Sequence, residues 1–131
     1  MLIIKPIQDK ALQEKICTFC NIPFRADALA NFAAEGDDET YEPVRLLGIC
    51  QFSAGGTLYD LAPAPEVEDE EALQIMAKAS MNFIYRCGCK VLLLTPNACP
   101  EALAKKLGFQ KNEDGIFSAD LEKMYGSCHC H

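Results

Sequence analysis

The sequence predicts a single α+β domain over residues 1–131. Three observations carry that expectation. Val44–Phe52 and Thr57–Ala62 are apolar runs that flank Ser53-Ala-Gly-Gly56, as in a strand hairpin. A long amphipathic stretch over about 70–87 follows them. Val91–Phe109 then reads as a buried strand, a turn, a short helix and a stop. The predicted order along the chain is strand, helix, three strands, long helix, strand, short helix and hairpin.

Leu2–Lys5 is the opening strand. Asp9 is placed to cap a helix whose Leu12, Ile16 and Phe19 recur at helical spacing, and Asn21 and Pro23 end it. Asp27–Ala34 is read as the second strand, although its period is poor. Glu35–Pro43 is an acidic turn region. Along Thr57–Ala62, alternation would turn Leu58, Asp60 and Ala62 one way and Tyr59 and Leu61 the other.

The long helix presents Leu73, Ile75, Met76, Ala79, Phe83 and Ile84 as its apolar set. Gln74, Lys78, Asn82 and Arg86, spaced by four, form a wet edge. Cys87-Gly88-Cys89 ends it. Val91–Leu94 is a strand expected to be covered on both faces. Thr95-Pro96-Asn97 breaks it, and Pro100 suits a first helical position. Leu103 and Leu107 share a face, Lys105 and Lys106 suit the helix C-terminus, and Gly108 supplies a left-handed cap. Phe109–Lys111 and Ile116–Leu121 form the last hairpin around Asn112–Gly115.

Composition narrows the function. A net charge of −7 argues against nucleic acid or an anionic membrane as partner, because both need a basic face. No apolar run approaches the ~20 residues of a membrane span. Lys5 interrupts Met1-Leu-Ile-Ile, so no secretory signal is read and the cytoplasm is the expected compartment. The eight cysteines are then expected as thiols or metal ligands rather than disulfides. Cys50, Cys87, Cys89 and Cys99 sit in apolar settings and are expected as core filler.

The segment from Asn97 to Leu107-Gly108-Phe109, with Asn eleven residues before Gly, resembles the end of a GNAT-type acyl-CoA N-acyltransferase domain. The order of elements extends the resemblance over nearly the whole chain. It implies a three-layer α-β-α arrangement around a mixed, mostly antiparallel sheet. That sheet would splay between its fourth and fifth strands, where the family places acetyl-CoA or another acyl-CoA. It further implies Leu61, Ala62, Val67, Asp69 and Asn97 as cofactor-binding positions. Main-chain N–H groups at Leu61 and Ala62 would hold the oxyanion.

In the family, a loop of the form Arg/Gln-x-x-Gly-x-Gly/Ala cradles the pyrophosphate at the start of the long helix. Glycines and free N–H groups make such a nest. Here the loop is Ala62–Glu71, without glycine, with Pro63 and Pro65, and with Glu66, Glu68, Asp69, Glu70 and Glu71. Acids favour the helix by ~0.3–1 kcal/mol each. Even in water each repels a phosphate charge ~8 Å away by roughly 0.5 kcal/mol. The loop is therefore either a weakened cradle or simply a well-capped helix start.

Asp60, a lone carboxylate on an apolar strand beside those donors, is the candidate catalytic base; its alternative is a hydrogen bond to a neighbouring loop. Asn97 is either a pantetheine ligand or a turn cap. The tyrosine that protonates the thiolate in many family members is replaced by Ala104, and Tyr85 or Cys99 would have to substitute.

Ser127-Cys-His-Cys-His131 has the composition of a metal site, and Cys17-Thr-Phe-Cys20 has a zinc-knuckle gap. Cys17, Cys20, Cys128 and either Cys130 or a histidine form the candidate zinc set. Three functions follow. The first is an N-acyltransferase acting on a small amine by direct attack. The second is a non-catalytic relative that has lost CoA and works as a binding module. The third is a Cys/His metal-binding or thiol sensor. No nucleic acid or membrane is expected as partner, and a homodimer is among the assemblies open to the chain.

Overall fold

The computed structural model describes residues 1–126. One seven-stranded sheet forms the middle layer, in the order β1-β2-β3-β4-β5-β7-β6. Its strands are β1 (Leu2–Pro6), β2 (Leu29–Gly36), β3 (Pro43–Ser53), β4 (Thr57–Pro63), β5 (Val91–Leu94), β6 (Gln110–Lys111) and β7 (Phe117–Asp120). The helices are α1 (Lys10–Phe19), α2 (Glu70–Arg86), α3 (Glu101–Lys106) and α4 (Leu121–Tyr125). Every neighbouring pair is antiparallel except β4–β5, which is parallel. A parallel pair needs a crossover, and α2 supplies it.

Two cores lie on opposite faces of the sheet. On one, Leu73, Met76, Met81 and Ile84 of α2 pack with Leu58, Leu61, Leu92, Leu94, Leu103 and Leu107. On the other, Cys17 and Cys20 of the α1 segment pack with Ile7, Ala30, Ile49, Ala62 and Ala64. Asp9 caps α1 by accepting from Ala11 N–H, and Asp69 caps α2 by accepting from Ala72 N–H. No helix of the described residues is long and apolar enough to cross a membrane.

Bulges explain where simple alternation fails. β2 has register shifts at Ala33/Ala34 and Glu35/Gly36, so the adjacent Ala33 and Ala34 are both buried. A shift at Gln51/Phe52 leaves Tyr59 unmatched on β4. A bulge flips the side-chain parity. Leu58 and Leu61 therefore share the α2 face, while Ala62 belongs to the α1 face. The sequence grouped Leu58 with Ala62, and the bulge overturns that.

Other expectations are corrected by coverage. β5 alternates rather than being covered twice: Leu92 and Leu94 are buried, whereas Val91 and Leu93 are about half exposed. Among the described residues the α1-side core contains no β5 residue, and Val91 and Leu93 stay half exposed on that face. On α2, Ile75, Ala79 and Phe83 are exposed. Ala72, Ala77, Ser80 and Met81 take the core positions instead, a rotation of the expected stripe. Leu121 opens the short helix α4 instead of ending a strand, because Asp120 accepts from Lys123 N–H as an N-cap. Cys87 is exposed, not core filler, and Cys89 is only half-buried.

Candidate cofactor cleft

β4 and β5 pair only at Thr57–Leu93 and Leu58–Leu94. Beyond Leu94 the chain leaves the sheet while β4 runs on to Pro63, so the two part beside Tyr59 and Asp60. The turn Thr95–Ala98 fills the start of this parting. Thr95 N–H donates to Leu58 C=O (3.0 Å), and Ala98 N–H closes the turn on Thr95 C=O (3.0 Å). Pro96 at the second position and Asn97 at the third, with φ +65, form the type II pattern. The turn then returns a carbonyl to β4: Leu61 N–H donates to Ala98 C=O at 2.9 Å.

That bond bears directly on the residues that the resemblance assigns to the cofactor. Leu61 N–H is occupied by the molecule's own backbone. Ala62 pairs with Ile49 in the β3–β4 ladder. Pro63, the next position with the direction of Leu61, has no N–H. Val67 N–H closes a turn on Ala64 C=O (3.1 Å), and Ala64 N–H donates to Leu47 C=O (2.9 Å). Asp69 is the α2 cap. Asn97 shapes the bridging turn.

The start of α2 is equally committed. Glu70 receives Lys106 Nζ at 2.6 Å and Gln74 Nε2 at 3.3 Å, which ties α2 to the end of α3. The hydrogen bond from Lys106 holds the Glu70 carboxyl below its usual value. Glu66 adopts φ +64, in the left-handed region where glycine is at ease. The loop thus has a glycine-shaped backbone with a glutamate on it, a signal visible only in the dihedral angle. Asp69, Glu71 and Glu35 meet Met1 around a hollow of about 280 Å³. Along β4 and at Val67 the donors are occupied or absent, and at the start of α2 carboxylates surround the helix N–H groups; these residues do not fit a CoA diphosphate and pantetheine arm.

Asp60 is 6 % exposed and lies on β4 where the sequence places it. Both its oxygens are engaged. Arg25 Nε donates to Oδ2 at 2.8 Å and Arg25 Nη2 to Oδ1 at 3.4 Å. Gln51 Nε2 donates to Oδ2 at 2.7 Å. The network extends to Gln13, whose Nε2 donates to Gln51 Oε1 at 2.9 Å, and to Arg25 N–H, which donates to the same oxygen at 3.1 Å. Arg25 also lies 5.1 Å over the Tyr59 ring. The hydrogen bond that Arg25 donates to Asp60 raises the Arg25 pKa. This arrangement pins the segment after α1 to the sheet. Sequence reasoning singled out Asp60 but not Arg25, Gln51 or Gln13, because the partners lie 35, 9 and 47 positions away (60−25, 60−51, 60−13).

Ala104 is buried and lines a cavity of about 370 Å³ with Leu94, Asn97, Cys99, Lys111 and Phe117. Tyr85 is not in that cavity: its hydroxyl donates to Glu122 at 2.9 Å on the α2–α4 side. Cys99 reaches it, but burial pushes its thiol up to about 11. Cys17 and Cys20 are buried under α1, with burial again pushing both thiols up to about 11. Cys128 and Cys130, with both histidines, lie outside the described residues. Among the described residues no group of three or more His, Cys, Asp or Glu is placed to hold a metal ion.

Helix–sheet order, one parallel pair and a parting beside it define the fold of the GNAT N-acyltransferases, and solved structures bear this out. A candidate GNAT-family acetyltransferase from Desulfovibrio desulfuricans superposes with a TM-score of 0.63 at 15 % identity, over 92 % of this chain and 99 % of that one. The ribosomal-protein-S18-alanine N-acetyltransferase of Escherichia coli gives 0.63 at 16 % identity, over 92 % and 94 %. The aminoglycoside 6'-N-acetyltransferase of Enterococcus faecium gives 0.58 at 10 % identity, over 91 % and 97 %. No protein-family model and no curated protein sequence matches the chain.

Proposed function

We propose that this chain is a GNAT-fold protein whose acyl-CoA cleft is shut from within, and that it works as a binding or interaction module rather than as a transferase. The observation that carries this reading is the Thr95–Ala98 turn, which fills the start of the β4–β5 parting and occupies Leu61 N–H with Ala98 C=O. The carboxylates at the start of α2 support it independently. Calorimetric titration with CoA and with acetyl-CoA tests it. The expected result is no saturable heat at several millimolar ligand. Saturation with a Kd of about 1 mM or tighter, roughly −4 kcal/mol, would overturn it.

A second reading keeps the enzyme: an N-acyltransferase that acylates a small amine by direct attack, with Asp60 as base. The parting of β4 and β5 favours it, since a sheet that splits leaves a slot. The Arg25 and Gln51 bonds on Asp60 weigh against a free base. The same titration separates the two readings, because the transferase needs a saturable CoA site.

A further inference from the structure

The described cysteines divide into two kinds. Cys17, Cys20 and Cys50 are buried, and Cys99 is half-buried. Burial pushes the Cys17, Cys20 and Cys99 thiols up to about 11 and that of Cys50 to about 12. Such thiols yield little thiolate and are inert to exchange. Cys87, by contrast, is exposed, and Cys89 is half-buried two residues beyond it. The cleft and the Asp60 network use neither.

The backbone around this pair is tightly specified. Cys87 N–H donates to Phe83 C=O (3.0 Å), Gly88 N–H to Tyr85 C=O (2.9 Å) and Cys89 N–H to Ile84 C=O (3.3 Å). These bonds form a Schellman-type end to α2, with Gly88 at φ +101 as its left-handed residue. Two ~3.8 Å Cα steps joined at a bend fall within the ~4.4–6.8 Å that a disulfide spans. A side chain placed on Gly88 would meet nothing within 4 Å, so the space around the bend is open. The Cys89 thiol donates to Val91 C=O at 3.0 Å, a weak bond that a new partner can replace.

We infer that Cys87 and Cys89 form a reversible dithiol–disulfide site, oxidised by a low-molecular-weight disulfide such as oxidised glutathione. The thiolate of exposed Cys87 attacks one glutathione sulfur, forming a mixed disulfide and releasing one glutathione. The Cys89 thiolate then attacks the Cys87 sulfur, closing the ring and releasing the second glutathione. Two electrons pass from the pair to the oxidant, and the two thiol protons end on the two released glutathiones. A solvent-facing bridge of this kind belongs to the labile class, so the same buffer reverses it. Closing it draws the Cys89 sulfur off Val91 C=O, at the first residue of β5.

Tryptic mapping of the full chain reads this directly. The reduced protein is equilibrated in glutathione buffers of graded redox ratio, acid-quenched, alkylated with N-ethylmaleimide after denaturation and digested. Cleavage after Arg86 and Lys90 releases Cys87–Lys90, which holds both sulfurs and no other cysteine. In oxidising buffer this peptide is expected to lack maleimide and be lighter by two hydrogens, through one transition that reverses in reducing buffer. The Cys17, Cys20 and Cys50 peptides stay fully alkylated. The Cys87→Ser variant abolishes the two-hydrogen loss. The inference is overturned if the peptide stays doubly alkylated in the most oxidising buffer, carries glutathione without an internal bond, or emerges joined to Met124–His131.

Discussion

Asp60 illustrates how a residue can be located by sequence and yet be understood only through its neighbours. A lone carboxylate on an apolar strand signals either chemistry or a partner. The partner, Arg25, comes from the irregular stretch after α1, where no periodicity guides the eye. Arg25→Ala leaves a buried carboxylate with Gln51 alone. Because Arg25 is itself about a third exposed, we expect a loss of roughly 1–3 kcal/mol, below the value for a fully buried pair, in urea denaturation. A change under ~0.3 kcal/mol would show that the ion pair does not hold the segment. Left-handed residues sort in the same way. Asn97→Gly should be nearly neutral, whereas Asn97→Ala should cost about 1 kcal/mol, since alanine resists φ +65. Glu66→Gly should stabilise by up to ~1 kcal/mol: relief of the left-handed strain exceeds the added freedom of the unfolded chain. Parallel denaturation curves of the three variants check these signs.

Among the elements, regular pieces were legible and interruptions were not. The α1 cap, the β3–β4 hairpin, β5 and the Gly108 stop stand where their residue signals place them, whereas Pro100 precedes α3 as its N-cap instead of opening it. The bulges in β2 and β4 were not readable, because a bulge adds a residue without a compositional mark. The one-sided covering of β5 is not legible because Val91–Leu94 is apolar throughout, and apolarity alone cannot report whether a helix reaches that face. The α2–α3 tie through Glu70 and Lys106 leaves no mark in the sequence, since it joins side chains from separate elements. It has a pH signature. Lys106 lowers the folded pKa of Glu70 from its ordinary 4.5. Its contribution is in place above that ordinary value and is lost as pH falls through the lower folded one. Lys106→Met should therefore lessen the acid-side decline of stability and leave the neutral-to-alkaline profile unchanged in shape. Thermal melts from pH 3 to 8 would read this, and an unchanged acid limb would refute it. Gly56 joins the β3–β4 hairpin to β5. At φ +117, and with the Cys89 sulfur 2.8 Å from where a Cβ would stand, Gly56→Ala should destabilise by roughly 2 kcal/mol or more.

On the scale of the whole molecule, the fold survived in the sequence as an order of elements even though family-level similarity did not. Hydrophobic periodicity and turn residues constrain the order strongly and identity weakly, which fits structural likeness at 15 % identity with no sequence-level match. The cleft was half legible. Its missing glycines and surplus acids could be read directly, but its closure depends on where one carbonyl points. Glu35, Asp69 and Glu71, far apart in sequence, line one hollow, where Glu35 is paired with Arg45. Like charges around that hollow repel, and salt screens them. The melting temperature should rise as NaCl goes from ~10 to ~150 mM, where the Debye length falls from ~30 to ~8 Å. A flat or falling response would mean that the ion pairs outweigh the crowding of acids.

The link from Leu61 to Ala98 also changes the terms on which anything could enter between β4 and β5. A newcomer that claims the Leu61 amide must evict a resident carbonyl, so it makes a swap rather than an addition. One net hydrogen bond is worth about 0.5–1.5 kcal/mol, so this exchange alone weakens a guest by roughly two- to tenfold relative to a vacant slot. Tight occupancy there requires the Thr95–Ala98 turn to fold away first. Affinity at this slot is then governed by how readily a proline-bearing turn can be displaced.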